Sequence, residues 1–378
     1  MKWIFAFFLS INFVAFSQYE VGETVINFVD SERDDRAIET HIFYPAESGG
    51  TEEPVTEGTF PVIAVGHGFA MSFDAYEYIW EHLVPLGYIV ALPNTETGLA
   101  VSHEAFGKDL AYVLTALQTE NGDEASFFFD RISDRTAVVG HSMGGGTGVL
   151  AVSESPTITS LITLAAAETD PSAIAAANEI DQPSLTIAGS LDCVTPPEEH
   201  QNLIFENHND CKGYILIEGG SHCQFANSNF VCELGEITCA GEGVIDEAAQ
   251  HEIVLDVITD WLTVFLKNDM EIWESVTASV GDNDGYTFEL SCEENGPVLS
   301  IEELNERPVQ IYPNPAVDYL MVSGVQNQHY SIIAMDGQIV SSGYLTDHID
   351  VRFLEKGIYI LQLRTAPHQW IQKRIIKA

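Results

Sequence analysis

Between Thr24 and Lys267 the apolar residues fall into short runs, alternating with stretches of helical spacing. The stretch TVINFVDSERDDRAIETHIFYPA (Thr24–Ala46) alternates apolar and polar positions around a charged turn, which predicts an antiparallel hairpin. The runs PVIAVGHG, YIVALPN, TAVVGHS, SLITLAAAE, PSLTIAGS and GYILIEGGSH are continuously apolar and predict buried strands. Between them lie helical patterns: DAYEYIWEHLV, with Asp74 as its expected N-cap; HEAFGKDLAYVLTALQ; GGGTGVLAV; PSAIAAANEI; PPEEHQNLIFE; and a long IDEAAQHEIVLDVITDWLTVFLK capped by Asp246. Buried strands alternating with helices predict an α/β fold, a mostly parallel sheet covered on both faces. In such sheets reactive groups gather at the carboxyl ends of the strands.

The pattern weakens over 269–307, which reads as a linker or peripheral segment. From Val309 it changes to short strands and turns (VQIYPNPAVDYLMVSG, YSIIAMDGQIVSSG, HIDVRFLEKGIYILQLR), so 308–378 is expected to be a small all-β domain resembling a sandwich. The opening MKWIFAFFLSINFVAFSQ has a basic start, an apolar core and a small-x-small site at Ala15–Ser17. It reads as a signal peptide over 1–17, with a catalytic domain expected over 18–268. The apolar stretch is too short for a comfortable bilayer span, so no stable membrane span is expected and the protein should leave the cytoplasm.

Charge sharpens the boundary. The chain carries a formal charge of −42. Residues 301–378 hold 7 Lys and Arg against 8 Asp and Glu, whereas residues 1–300 hold 8 against 49. So acidic a body should repel nucleic acid and anionic membranes. Six cysteines in an exported chain suggest disulfides. Short loops favour Cys193–Cys211 and Cys232–Cys239, leaving Cys223–Cys292, while a rival Cys193–Cys223 bridge would clamp two loops of interest. No C-x-x-C pair supports a metal site, and none is expected.

Candidate chemistry centres on VVGHSMGGGTG (Val138–Gly148), where a strand must turn abruptly into a helix. Gly140-His141-Ser142-Met143-Gly144 is the G-x-S-x-G nucleophile elbow, which lifts its serine to the top of a sheet. A serine hydroxyl needs a base, and the base needs a carboxylate to orient it. In chain order Ser, acid, His, the expected partners are Asp192 in TIAGSLDCVTPP and His222 in ILIEGGSHCQF, both just past strands. Asp170, one strand earlier beside Glu168, is a rival acid. His200, His208 and His251 lie in or beside predicted helices and read as surface residues. His67 and His103 precede the serine, and His67 reads as a buried, hydrogen-bonded loop residue. An oxyanion needs amide donors, expected from the backbone N–H groups of Met143 and of Phe69 in GHGFA. Only 50 positions separate Ser142 from Asp192, which leaves no room for a helical lid domain. The site should therefore be open, with Phe69, Phe73 and Phe225 as candidate substrate-binding aromatics. Tyr76 and Trp80 read as core.

GHGFA, GHSMGGG, GSLDCVTPP and GGSHCQF together resemble the cutinase-like polyester hydrolases of the α/β-hydrolase superfamily, and the related dienelactone-hydrolase group of secreted esterases. The likeness covers about 20–268. It implies a serine carboxylic-ester hydrolase with no cofactor, acting on small acyl esters or polyesters, with Ser142, Asp192 and His222 as its triad. Lipase activity is the alternative, and a non-catalytic surface adhesin a more distant one. Two departures stand out. Those polyester hydrolases usually carry a tryptophan after the strand matching ITLAAAE, where this chain reads ETDPSA; dienelactone hydrolases proper use a cysteine where Ser142 stands. The tail motifs IYPNPAVDYLMV, MDGQIV, KGIYILQL and the basic KRIIKA resemble the C-terminal sorting domain of the type IX secretion system of Bacteroidetes. That likeness implies passage across the outer membrane, with the secretion machinery as a partner.

Overall fold

The computed structural model describes residues 19–239 and 241–292, and most of 310–377 with short breaks between strands. The expected signal peptide and the part of the expected linker from 293 to 307 lie outside the described residues. Two compact units divide the chain between Leu299 and Ser300.

The larger unit runs β1 (Glu20–Asp30), β2 (Arg36–Ala46), β3 (Gly50–Thr51), β4 (Phe60–Gly66), α1 (Glu77–Leu83), β5 (Ile89–Pro93), α2 (His103–Gly122), β6 (Ile132–His141), α3 (Met143–Glu154), β7 (Ser160–Leu164), α4 (Ala173–Ala176), β8 (Ser184–Gly189), α5 (Gln201–Asn207), β9 (Lys212–Ile217), α6 (Phe230–Glu236), α7 (Glu247–Lys267), α8 (Met270–Ala278), β10 (Gly281–Asp282) and β11 (Tyr286–Ser291). Its strands form one sheet in the order β10-β11-β9-β8-β7-β6-β4-β5-β2-β1-β3. The six strands from β9 to β5 are parallel, and the β1–β2 hairpin and β11 add antiparallel edges. This is the α/β-hydrolase architecture. The central strands are buried at almost every position because helices cover both faces. One core gathers Ile63, Val139, Ile187, Trp261 and Phe265; the other gathers Ile38, Val62, Leu114, Val138 and Leu161. Adjacent residues Ile63 and Val62, or Val139 and Val138, thus serve opposite faces, as strand alternation requires.

Of the two readings of 269–307, the described part, 270–291, fits a peripheral segment and not a linker: α8 buries Trp273 and Val276, and β11 pairs with β9 and buries Phe288. Their apolar positions are few because an edge strand and a short helix each bury one face only. Asp74 does not cap a helix; it lies within a 3-10 turn, Phe73–Tyr76, that follows Ser72, and α1 begins at Glu77. Asp246 does cap α7, accepting Ala249 N–H.

The disulfides also pair differently from the short-loop expectation: Cys193–Cys239, Cys211–Cys292 and Cys223–Cys232. Topology overrides loop length. Cys211 immediately precedes β9 and Cys292 follows its partner β11, so the antiparallel pairing brings the two cysteines together. Cys193 and Cys239 meet because the segment carrying α6 folds back beside the loop after β8.

The C-terminal unit has a three-stranded sheet, β12 (Gln310–Tyr312), β13 (Tyr319–Ser323) and β16 (His348–Asp350), and a four-stranded one, β14 (His329–Ala334), β15 (Ile339–Tyr344), β17 (Gly357–Ala366) and β18 (Gln369–Lys377). All described pairings within both sheets are antiparallel. Leu320, Ile332, Ile349, Leu361 and Ile375 form its own core.

Candidate active site

β6 runs straight into α3, and the turn between them is a single residue, Ser142, at φ 55° and ψ −119°. A left-handed backbone at a serine is strained, and the surrounding packing must hold it. Close approach of β4, β6 and α3 does so: a Cβ on Gly140 would stand 2.1 Å from the Gly144 carbonyl oxygen, and one on Gly144 would stand 2.1 Å from that of Gly66. Ser142 N–H donates to Leu164 O (2.9 Å), and Ser142 O accepts from Ala167 N–H (2.9 Å), which ties the elbow to the end of β7.

The loops after β8 and β9 bring the other two groups. His222 Nε2 lies 3.0 Å from Ser142 Oγ, and His222 Nδ1 lies 2.8 Å from Asp192 Oδ2. A carboxylate accepts only, so the imidazole carries its proton on Nδ1 and turns the Nε2 lone pair to the serine hydroxyl. All three residues are buried. Asp192 Oδ1 accepts Val194 N–H (2.9 Å) and Thr195 N–H (2.8 Å), and its Oδ2 accepts Thr195 Oγ1–H (2.9 Å). The rival Asp170 is exposed, and its N–H donates to His103 Nδ1 (3.0 Å).

Met143 opens α3, so its N–H has no acceptor within the helix. Phe69 lies in a turn closed by Met71 N–H to Gly68 O (3.1 Å), and its N–H has no acceptor among the described residues. Phe69 is 46 % exposed. Phe73 stacks on His41 of β2, ring centroids 3.5 Å apart. Phe225 corrects the expectation: it is wholly buried in the core and offers no surface to a substrate. The short 3-10 turn Cys223–Phe225 after His222 points it inward.

Two of the three expected surface histidines are not on the surface either. His208 and His251 are buried, and half-buried His200 accepts Glu168 N–H at Nδ1 (2.9 Å). Burial lowers the pKa of all three. His67 is buried as expected, with Gly68 O 2.8 Å from Nδ1 and Thr95 O 2.7 Å from Nε2. Tyr76 is buried in the core, and Trp80, only partly buried, stacks on Phe43.

Three supporting residues escape a reading of the sequence. Thr195 braces Asp192 and in turn accepts Gln201 Nε2–H (3.1 Å); the D-x-x-T spacing, which suits a carboxylate receiving two successive N–H groups, is its one local signal. Glu236 Oε1 accepts His222 N–H (2.8 Å) from α6, a contact that no spacing foretells. His141, between Gly140 and Ser142, points inward and is fully buried, and burial holds its pKa well below the usual histidine value.

Residues 39–244 match the PET hydrolase-like family, and residues 310–377 match the secretion system C-terminal sorting domain. The chain is 26 % identical over 184 residues to the cutinase est1 of Thermobifida alba, covering 48 % of this chain and 56 % of that one. It is 25 % identical to cutinase 2 of Thermobifida cellulosilytica, covering 48 % of this chain and 64 % of the relative. It is 26 % identical over 226 residues to the bis(hydroxyethyl) terephthalate hydrolase of Streptomyces coelicolor, covering 59 % and 67 %. The chain thus spans less than two thirds of the length of the two Thermobifida relatives. The sorting domain addresses the chain for export to the cell surface or beyond. Among the described residues no helix is long and apolar enough to cross a membrane. The parallel sheet, the glycine-packed elbow and the match over more than half of the chain agree, and the chain belongs to the PET hydrolase-like family.

Proposed function

We propose that the protein is an exported serine carboxylic-ester hydrolase, with Ser142 as nucleophile, His222 as general base and Asp192 as the acid that orients it. The observation carrying this reading is the unbroken run from Ser142 Oγ through His222 (3.0 Å) to Asp192 (2.8 Å). Ser142 Oγ attacks the ester carbonyl carbon as its proton passes to His222 Nε2. The oxyanion is received by the N–H groups of Met143 and Phe69. The C–O bond breaks, and the departing alkoxide takes the proton from His222. Water then adds to the acyl-enzyme with His222 again as base, releasing the acid and restoring Ser142.

Small acyl esters and polyesters are the proposed substrates. The names of the relatives point that way, and exposed apolar side chains lie on the segments that carry the site: Phe69 at the proposed oxyanion donor, Val194 in the acid loop, and Phe230 and Leu234 on α6, whose Cys232 is bridged to Cys223 beside His222. The sorting domain would hand the folded chain to the type IX machinery. A fluorophosphonate probe tests the chemistry: it should label wild type at Ser142 and leave Ser142→Ala untouched. Folded wild type that resists the probe would remove this reading.

A further inference from the structure

A second polar chain runs beneath the site, and the reaction written above does not use it. Gly68 N–H donates to Tyr76 Oη (2.7 Å). Tyr76 Oη lies 2.9 Å from His141 Nδ1, and His141 Nε2 lies 3.1 Å from the carbonyl oxygen of His222. Tyr76 and His141 are each at most 1 % exposed. The direction of every bond follows from its ends. A backbone N–H can only donate, so Tyr76 Oη accepts there; its proton faces His141 Nδ1 at 2.9 Å, with Met71 Sδ a weaker acceptor at 3.6 Å. A carbonyl can only accept, so His141 carries its proton on Nε2. Burial favours the neutral imidazole that this arrangement needs. The packing leaves no slack: a Cβ on Gly68 would stand 2.7 Å from Met71 Sδ and 3.3 Å from His141 Nδ1.

The two ends of this chain are informative. Gly68 precedes Phe69, the proposed second oxyanion donor, on the loop after β4. His222 is the proposed base, on the loop after β9. These loops are far apart in sequence and separated in the sheet by β6, β7 and β8. His141 sits between them on the elbow itself, one residue before the nucleophile.

We propose that Tyr76 and His141 are positioning residues whose hydrogen-bonded chain, from Gly68 N–H to the His222 carbonyl, fixes the distance between the oxyanion donor and the base. The inference rests on the esterase reading above. The transition state needs the oxyanion donor and the base in register, which binding of the ground-state ester does not. Losing the tie should therefore lower kcat and leave KM nearly unchanged.

Tyr76→Phe keeps the ring and removes the hydroxyl's bonds to Gly68 N–H and His141 Nδ1, together with its weak contact to Met71 Sδ (3.6 Å). Its kcat on a soluble p-nitrophenyl ester should fall about 10- to 100-fold, with KM within about twofold of wild type. Tyr88→Phe is the control. It removes another buried hydroxyl, bonded to Thr263 Oγ1 (3.1 Å) between α7 and the start of β5, and should cost stability without lowering kcat. His141→Gln can still donate to the His222 carbonyl, so it should retain more kcat than His141→Leu. Imidazole 15N spectra at neutral pH supply a readout apart from activity: His141 should show a protonated Nε2 and a hydrogen-bonded, unprotonated Nδ1 whose shift moves in Tyr76→Phe. A wild type that shows this pattern but neither hydrolyses esters nor takes the fluorophosphonate would sink the esterase reading and leave the tie itself standing. A Tyr76→Phe enzyme with kcat within about twofold of wild type, or a His141 protonated on Nδ1, would overturn the positioning role. Should Tyr76→Phe fail to fold, His141→Gln against His141→Leu decides by the same kcat criterion, equal values counting against the proposal.

Discussion

Glu236 Oε1 accepts the backbone N–H of His222 at 2.8 Å, so the loop of the proposed base is held from the side by a residue 14 positions further along. Two disulfides flank this carboxylate: Cys223–Cys232 joins α6 to the residue after His222, and Cys193–Cys239 joins the chain three residues past the end of α6 to the residue after Asp192. Glu236→Ala should lower kcat about three- to tenfold, the effect of one charge-assisted hydrogen bond. Glu236→Gln keeps an acceptor oxygen and should recover most of it. Steady-state kinetics of both variants checks this, and wild-type kcat in Glu236→Ala would show that the contact is incidental.

The same bridges should matter for stability. Cys211–Cys292 closes a sequence separation of 81 residues and clamps the β9–β11 edge, while Cys193–Cys239 closes one of 46. Chain-entropy arguments give about 4 kcal/mol for loops of this size, less any structure left in the unfolded chain. Reductant should therefore lower Tm by several degrees, and Cys211→Ser with Cys292→Ser should reproduce part of that fall. Identical melting curves with and without reductant would contradict it.

Much of this frame is legible in the residues. The strands from β4 to β9 announce themselves because each is buried on both faces, and the order Ser142, Asp192, His222 follows from which strand each loop succeeds. What is not legible depends on pairing across the sheet. β11 has one buried face, so Phe288 alone cannot signal a strand, and without β11 beside β9 nothing brings Cys211 to Cys292. Phe225 and Phe69 look alike as aromatics in loops. Only the inward 3-10 turn after His222 distinguishes the buried ring from the exposed one.

His208 makes stability pH-dependent. Burial holds its pKa at about 4 in the folded chain, against 6.5 for the ordinary side chain. The folded state thus keeps His208 neutral where the unfolded chain takes up a proton. Its contribution is whole above pH 6.5 and is lost as pH falls towards 4, roughly 3 kcal/mol across that window. His208→Phe removes the titrating group. Urea unfolding at pH 7.5 and at pH 4.5 should show wild type losing about 2–3 kcal/mol more than the variant. Parallel losses in the two proteins would exclude His208 as a source of acid sensitivity.

The C-terminal unit has its own core, built around Leu320, Ile332 and Ile349, and Ser142, His222 and Asp192 all belong to the larger unit. A chain of residues 18–299 should therefore keep wild-type kcat and KM on soluble esters. A marked loss of turnover in a folded, monodisperse sample would give the tail a part in catalysis or stability beyond sorting.

The most direct test is hydrolysis of a p-nitrophenyl ester series, from acetate to palmitate, alongside an aromatic polyester film, by wild type and by Ser142→Ala. The account predicts wild-type turnover of the short esters and release of soluble acid from the film, with Ser142→Ala reduced by at least about 10⁴-fold at unchanged folding. Equal activity in the two proteins, or none in a correctly folded wild type, would contradict it.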